Sequence, residues 1–445
     1  MKRALIITYY WPPAGGSGVQ RWVKFAKYLP SEDWQPVIYT PSNPESVATD
    51  RSLMDEIPKE AEVIRRHIFE PYGLYRNLVG RKDAAEGGSD EVNPLNARKK
   101  SIAQKTAIFI RGNFFIPDPK CFWIIPSVNF LKKYLKRHPV DIIISTGPPH
   151  SMHLIAQKLS RATKLPWIAD FRDPWTKMFY FKHLSLTPWA VRLHRYLEQK
   201  VLDRASAVVA VSPLVQEDFQ KMTSSKVVLI TNGYDEKDFD DAVVESDGYF
   251  NITHTGLFAA DGNPTQLWKI LAEKCSSDIT FSKMLRIRLV GKTDSDIIRT
   301  VREAGLEPNL RDIGYQPHTV AVKEQKSASV LLLPLRKEPE YKAVLPGKLF
   351  EYLASGRPVL GIGQPDGAMS VIINKTGAGK VIDWDDTEGL SNFIDDCWER
   401  FQTNRLDIQS EEISGYSRRA LTARMAELMD SLIEDEDIRE AAENS

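Results

Sequence analysis

Short apolar runs alternate with helix-compatible stretches in two separate series, and that rhythm leaves few folds open to this chain. The first run is Ala4–Tyr9. A Pro-Pro-Ala-Gly-Gly-Ser-Gly turn follows at Pro12–Gly18, and Val19, Trp22, Val23 and Ala26 then recur at helical spacing from Ser17 to about Tyr28. Val37–Thr40 reads as the next strand. Strand, glycine turn, helix, strand is the opening of a doubly wound α/β domain. The alternation resumes at Asp141–Ser145, Trp167–Asp170, Ala207–Val211 and Val227–Ile230. An acidic stretch, Asp235–Asp247, reads as a linker. The second series begins at Phe250, with strands at Ile252–Thr255, Ile287–Val290, Val330–Leu333 and Val359–Ile362, and a last helix spans about Ser417 to Ile433. A chain of 445 residues exceeds one ordinary core and suits two domains of about 200 residues each. The expected division is an N-terminal domain over 1–240, a C-terminal domain over 248–414, and a helix and tail over 415–445 packing back on the first.

Residues from about Val79 to Ser101 interrupt the rhythm. Arg81-Lys82-Asp83-Ala84-Ala85-Glu86-Gly87-Gly88-Ser89-Asp90 is polar and glycine-containing, the composition of an exposed, mobile insertion. Beyond it Arg98, Lys99, Lys100, Lys105 and Arg111 flank Ala107-Ile108-Phe109-Ile110 and Phe114-Phe115-Ile116, ending in Phe122-Trp123-Ile124-Ile125. A buried helix with solvated lysines is one reading; a surface that rests on an anionic membrane is the other. Globally, 59 Lys plus Arg balance 59 Asp plus Glu, so net charge gives no argument for nucleic acid. Cys121, Cys275 and Cys397 are far apart and lack metal spacing, as in a reducing cytosol. No apolar run approaches the ~20 residues that span a bilayer. Met1-Lys2-Arg3 runs straight into a strand, so no signal peptide is expected. The expected location is cytoplasmic, with the inner face of the cell membrane as a peripheral contact.

One segment suits an anionic ligand. Pro346 and Gly347 lead into a helix carrying Leu349, Phe350, Leu353 and Ala354, with Gly356 as its stop. A helix start presents unpaired amides, and Lys348 in its first turn is poorly placed unless an anion neutralises it. Glu351, one turn on, is placed to accept from two ribose hydroxyls. A solvated Lys and Glu on an ordinary amphipathic helix is the plain alternative. The N-terminal glycine turn is not a dinucleotide fingerprint, because Arg21 stands at the third glycine and Tyr39-Thr40-Pro41 offers no acidic residue after the second strand. Its glycines still let backbone approach a phosphate or a sugar. Asp170, Arg172 and Asp173 end a strand, with Pro174 holding Asp173 extended. Asp173 or Asp170 is expected to orient an acceptor or a sugar, with an Arg172–Asp170 structural ion pair as the alternative. His150 and His153 follow the next strand-end loop, where either is a candidate to touch an acceptor or simply begins a helix. No metal-ligand cluster or Asp-x-Asp pattern is present.

Leu345-Pro346-Gly347-Lys348-Leu349-Phe350-Glu351-Tyr352-Leu353-Ala354-Ser355-Gly356-Arg357-Pro358-Val359 resembles the donor-binding helix of the GT-B retaining glycosyltransferases of family 4. Pro12-Pro13-Ala14-Gly15-Gly16-Ser17-Gly18 resembles that family's glycine loop, and Asp170-Phe171-Arg172-Asp173-Pro174-Trp175 a central-loop pattern of its envelope-polysaccharide branch. Val211-Ser212 and Ile230-Thr231-Asn232-Gly233-Tyr234-Asp235, with Phe239, resemble the end of its first domain. The resemblance covers nearly the whole chain apart from the insertion. It implies two facing Rossmann-like domains, a nucleotide diphosphate sugar as donor, a saccharide or lipid-linked saccharide acceptor, and retention of configuration; with no metal-ligand cluster or Asp-x-Asp pattern in the residues, neither cofactor nor metal is expected. It implies donor contacts from Gly15, Gly16, Ser17, Gly256, Leu345, Pro346, Gly347, Lys348 and Glu351, with Tyr315 near the base. The family's basic pair for the diphosphate is missing from Thr255–Asn263, which leaves Lys348, Arg336 and Lys292. The first of the family's two glutamates falls at Ala343, so the sugar is left to backbone groups of Ala343–Leu345 or to Glu340. Arg172 stands where the family often has a histidine; with Asp170 and Asp173 it forms the candidate catalytic set, and His150 is the acceptor candidate. Ala343 and the missing basic pair motivate one alternative, a non-catalytic partner that keeps the fold; rivals with the same fold are a nucleotide-sugar epimerase or a phosphorylase, the latter requiring a cofactor-lysine region that the sequence does not show.

Overall fold

The structure, a computed structural model, describes residues 1–44, 49–69, 102–178, 181, 184–240, 244 and 247–443. The insertion expected near 79–101 lies outside the described residues. The chain divides into two compact units, Met1–Thr231 with Leu421–Ser445, and Asn232–Ala420.

The first unit is built on a seven-stranded sheet of β1 (Lys2–Ile7), β2 (Trp34–Pro41), β3 (Glu62–Arg66), β4 (Ile142–Gly147), β5 (Trp167–Phe171), β6 (Ala207–Ala210) and β7 (Lys226–Leu229), in the order β3-β2-β1-β4-β5-β6-β7. Every pairing is parallel. A parallel sheet covered by helices on both faces needs continuous apolar strands. Ala4-Leu5-Ile6-Ile7 and Ile142-Ile143-Ile144 meet that need and are wholly buried. Against them pack Trp22, Val23 and Ala26 of the Ser17–Tyr28 helix. The Arg418–Glu443 helix adds Leu421, Met425, Met429 and Leu432 to the same core. Trp34 donates to Asp430 at 3.1 Å, and Arg424 to the Leu229 carbonyl at 2.9 Å, fixing that helix along its length.

The second unit is a six-stranded sheet of β8 (Phe250–Thr255), β9 (Leu285–Val290), β10 (Leu310–Gly314), β11 (Val330–Pro334), β12 (Val359–Ile362) and β13 (Gly379–Ile382), ordered β10-β9-β8-β11-β12-β13. It is parallel throughout. The chain leaves the first unit at Thr231, before the acidic stretch expected to be the linker. The reason is Phe239, buried against Val322, with its carbonyl accepting from Lys326 at 2.9 Å.

In each sheet the strand order reverses beside the unit's first strand, between β1 and β4 and between β8 and β11. Ligands of doubly wound sheets bind outside the carboxyl ends of the strands at that reversal. In the second unit two glycines shape this edge. Gly256 has φ 88° and Gly291 φ 129°, and a Cβ on Gly291 would fall 2.3 Å from the Gly256 carbonyl oxygen. Only glycines let the loops after β8 and β9 meet backbone to backbone.

Candidate functional site

In the second unit the site grows from the end of β8. His254 and Thr255 are buried there, and Gly256 follows. The Lys348–Ala354 helix has only seven residues, so its side chains rather than its dipole carry the chemistry. Lys348 Nζ lies 3.0 Å from His254 Nε2 and donates to the Leu257 carbonyl at 3.2 Å. It stands 3.4 Å from where a Cβ on Gly256 would be, so a side chain there would press on the ammonium. Among the described residues Lys348 makes no ion pair. Burial pushes its pKa down to about 8, against the opposing pull of the Glu351 charge. His254 lies flat on Phe258, ring centres 4.1 Å apart. Burial, and then the Lys348 charge, hold His254 well below the usual imidazole range, so it is neutral. With Lys348 donating to Nε2, the proton sits on Nδ1, which is buried without a hydrogen-bond partner.

Glu351 accepts from Gln325 Nε2 at 3.0 Å and lies 3.3 Å from His318 Nε2. Burial works to raise its pKa, but the hydrogen bond and charge of His318, followed by Gln325 and Arg418, outweigh it and hold the carboxyl below its ordinary value. Gln325 also donates to Thr255 Oγ1 at 3.1 Å, and the Thr255 amide donates to Tyr352 Oη at 2.8 Å. A continuous chain of hydrogen bonds thus ties Glu351 to the end of β8. The other expected donor residues ring the same sheet edge. Arg336, after β11, is committed to an ion pair with Asp261 at 2.9 Å and lies 5.2 Å over the Tyr341 ring. Lys292, after β9, is exposed, and Tyr315, after β10, is 86% exposed. Neither is bonded to Lys348. Leu345 is buried and Pro346–Gly347 lead into the helix, while Ala343 and the half-buried Glu340 share the short turn Pro339–Ala343.

In the first unit Gly16, with φ 101°, precedes the Ser17–Tyr28 helix, and Gly15 lies so close to Asp50 that a Cβ would stand 3.0 Å from it. Arg172 clasps two loops: Nη1 donates to the Gly18 carbonyl at 2.8 Å, and Nη2 donates to the Pro148 carbonyl. A Cβ on Gly18 would fall 2.6 Å from that Nη1, so glycine is what admits the guanidinium. Asp173 makes no hydrogen bond among the described residues. Burial raises its pKa to about 6, with the Arg172 charge acting against that rise.

Asp170 requires a correction. It is wholly buried and accepts from Arg21 Nη2 at 2.8 Å, Arg21 Nε at 3.2 Å, Trp22 Nε1 at 2.8 Å and Thr146 Oγ1 at 2.9 Å. Arg21, equally buried, also donates to the Ile230 and Thr231 carbonyls at 2.9 and 2.7 Å. The ion pair expected with Arg172 is made with Arg21 instead. A carboxylate that is wholly buried and engaged by four protein donors, three of them on Oδ2, faces the protein rather than a substrate, which favours a structural role for Asp170. His150, 5% exposed, begins the Ser151–Thr163 helix and stacks on Trp175 with centroids 4.5 Å apart. Both its ring nitrogens lack partners, and burial, then the neighbouring His153, His194 and Arg172, keep it neutral. His153 is bonded to Ser145 Oγ at 2.8 Å. Among the described residues no three His, Cys, Asp or Glu side chains gather to hold a metal ion. Sequence reasoning missed His254, Gln325, His318 and Arg21; the one available signal was that Lys348 needed an acceptor.

Two doubly wound parallel units, each with candidate groups at its strand-reversal edge, define the GT-B class of fold. Residues 91–238, which include Asp170–Trp175 but neither the glycine loop nor the Lys348 helix, match the family model for Glycosyltransferase Family 4. No curated protein matches the chain by sequence. Among solved structures, it is similar to a sucrose-phosphate synthase from Thermosynechococcus elongatus, at 16% identity and a TM-score of 0.60, covering 98% of this chain and 100% of that one. It is also similar to a lipopolysaccharide outer core galactosyltransferase in its apo form, at 13% identity and a TM-score of 0.57, covering 97% and 99%. A third is S. aureus TarM solved with UDP, at 11% identity and a TM-score of 0.55, covering 96% and 100%. At these identities the likeness concerns the fold.

Proposed function

We propose that the chain moves a sugar from a nucleotide diphosphate sugar to a saccharide or lipid-linked saccharide acceptor, with retention and without a bound metal, in building envelope or exported polysaccharide. The observation that carries this reading is Lys348: a half-buried ammonium held by an imidazole nitrogen and a carbonyl, with no carboxylate in contact. Buried charges are ordinarily paired. A diphosphate supplies the missing counter-charge, and Glu351, anionic and 24% exposed, keeps lone pairs for ribose hydroxyls.

In the reaction the acceptor hydroxyl oxygen bonds to the anomeric carbon as the bond from that carbon to the diphosphate oxygen breaks. The departing diphosphate oxygen takes the hydroxyl proton, so the products are the glycoside and the nucleoside diphosphate. Lys348 stabilises the charge growing on that diphosphate. Asp173, ionised above about pH 6, orients the acceptor by accepting from one of its hydroxyls, while Arg172 holds the glycine loop. A lipid-linked acceptor agrees with the exposed Phe69, Phe109, Ile110, Phe114, Phe122 and Ile125, and with the exposed face of the Ile124–Leu135 helix, which runs from Ile125 to Lys132 and Lys133.

The test is a panel of nucleotide sugars with anomeric NMR of the product. Slow donor hydrolysis or transfer that is lost in Lys348→Ala supports the reading. If no nucleoside diphosphate raises the melting temperature, the donor site is refuted. Flotation with anionic liposomes tests the membrane contact, and a protein that stays at the bottom of the gradient overturns it.

A further inference from the structure

The pairing of Lys348 with a histidine, where a carboxylate would be the usual partner of a desolvated lysine, has no structural need behind it. His254 lies near the end of β8, and Ile252 and Phe250, which share its face of the strand, are core residues. An aliphatic side chain at 254 would satisfy the sheet. Instead the imidazole is clamped between Phe258 and the ammonium, with Nδ1 left buried and unbonded. A buried polar atom without a partner is retained at a cost, and the contact that offsets it here is the one its other nitrogen makes with Lys348.

We infer that His254 is a positioning residue: its neutral Nε2 holds the Lys348 ammonium at the mouth of β8 while leaving its full positive charge for the diphosphate of a nucleotide ligand. This inference rests on the proposed donor site and deepens it. A carboxylate at 254 would hold Lys348 equally well but cancel the charge, and an aliphatic residue would leave the ammonium with the Leu257 carbonyl alone. The titratable groups facing Lys348 are His254 from β8 and Glu351 from its own helix, and Glu351 is in turn engaged by His318 and Gln325 of the His318–Lys326 helix and by the Arg418 charge. Glu351 is therefore drawn toward that helix, and His254 is the side chain that fixes the ammonium, beside the Leu257 carbonyl.

Two readouts on the full chain separate this inference from the donor reading. The first is the Lys348 titration in the ligand-free protein, followed by NMR of ε-labelled lysine and assigned with Lys348→Met. The second is affinity for UDP and for GDP by calorimetry across pH. His254→Leu removes an acceptor from the charged form, so the Lys348 titration falls by about one pH unit or more and affinity at neutral pH drops about tenfold. His254→Glu moves the titration upward yet weakens nucleotide binding, because the ammonium is already neutralised. His254→Gln, which keeps an uncharged acceptor, restores wild-type affinity to within about threefold. In the Lys348→Met background none of the three changes affinity, which holds even for a variant of reduced stability provided it is folded. A Lys348 titration unchanged in both His254→Leu and His254→Glu overturns the inference. If the titrations shift as stated and neither nucleotide binds, the tether stands and the donor reading fails.

Discussion

Lys348→Met asks whether the fold opposes the charge that a ligand is meant to relieve. The lysine's pKa lies near 8 in the folded protein against 10.5 for an ordinary lysine. Across that window the unfolded chain binds more protons than the folded one, so stability rises with pH through it. From roughly pH 7.5 to 9.5 the gain from this one group works out at about 2 kcal/mol. For a unit of this size that is roughly 4–8 °C in melting temperature. To isolate this one group, the quantity to measure is the wild-type melting temperature minus that of Lys348→Met at each pH. Methionine keeps the length of the side chain and removes the charge. The difference is expected to climb through about pH 8 in the ligand-free protein. With saturating UDP or GDP it is expected to flatten, because a bound diphosphate returns the lysine to its ordinary range, and nucleotide affinity correspondingly falls as pH rises above about 8. A ligand-free difference that stays flat across the window refutes the reasoning, since Lys348 would then be no more desolvated than a surface lysine.

Glu351→Ala removes a charged acceptor and is expected to weaken nucleotide binding by about 10- to 100-fold, read by calorimetry. Asp173→Asn is expected to lower turnover while leaving nucleotide affinity intact; in the wild type, turnover rises with pH through about 6 as Asp173 ionises, and that limb is absent from the variant. Arg21→Met leaves Asp170 buried and unpaired, and is expected to cost roughly 3–5 kcal/mol in chemical denaturation of the first unit. Asp170→Ala has an equally structural effect, and a variant that kept its stability and lost only turnover would reverse the assignment of Asp170.

The central strands were legible because a parallel strand buried on both faces must be an unbroken apolar run, as Ile142-Ile143-Ile144 and Val330–Leu333 are. The edge strands β3 and β10 and the short β13 were not. Glu62-Val63-Ile64-Arg65-Arg66 and Leu310-Arg311-Asp312-Ile313-Gly314 are half-exposed, so charge replaces the apolar signal. Lys348 and Glu351 could be read because they conflict with a bland helix, one by its charge at the helix start and the other by spacing. His254 could not, since nothing local distinguishes an imidazole in a strand from a packed one; its meaning comes from a residue 94 positions away. Asp170 misled for the same reason. Its ion-pair partner, Arg21, lies 149 positions earlier, and the sequence neighbour Arg172 offered a simpler but incorrect match.

The first unit is discontinuous, and its core includes Leu421, Met425, Leu428, Met429 and Leu432 from the end of the chain. That has a consequence for synthesis. Domains of a nascent chain ordinarily fold in the order they emerge, but here the earlier unit waits for residues made after the later one. The second unit, contiguous from Asn232 to Ala420, is complete first. Until the Arg418–Glu443 helix is released, the sheet face around Trp34 and Ile38 lacks part of its apolar cover, each absent Leu or Met side chain forgoing about 1.5–3 kcal/mol. Chains from which Leu421–Leu432 have not yet emerged therefore present a sticky, half-finished first unit.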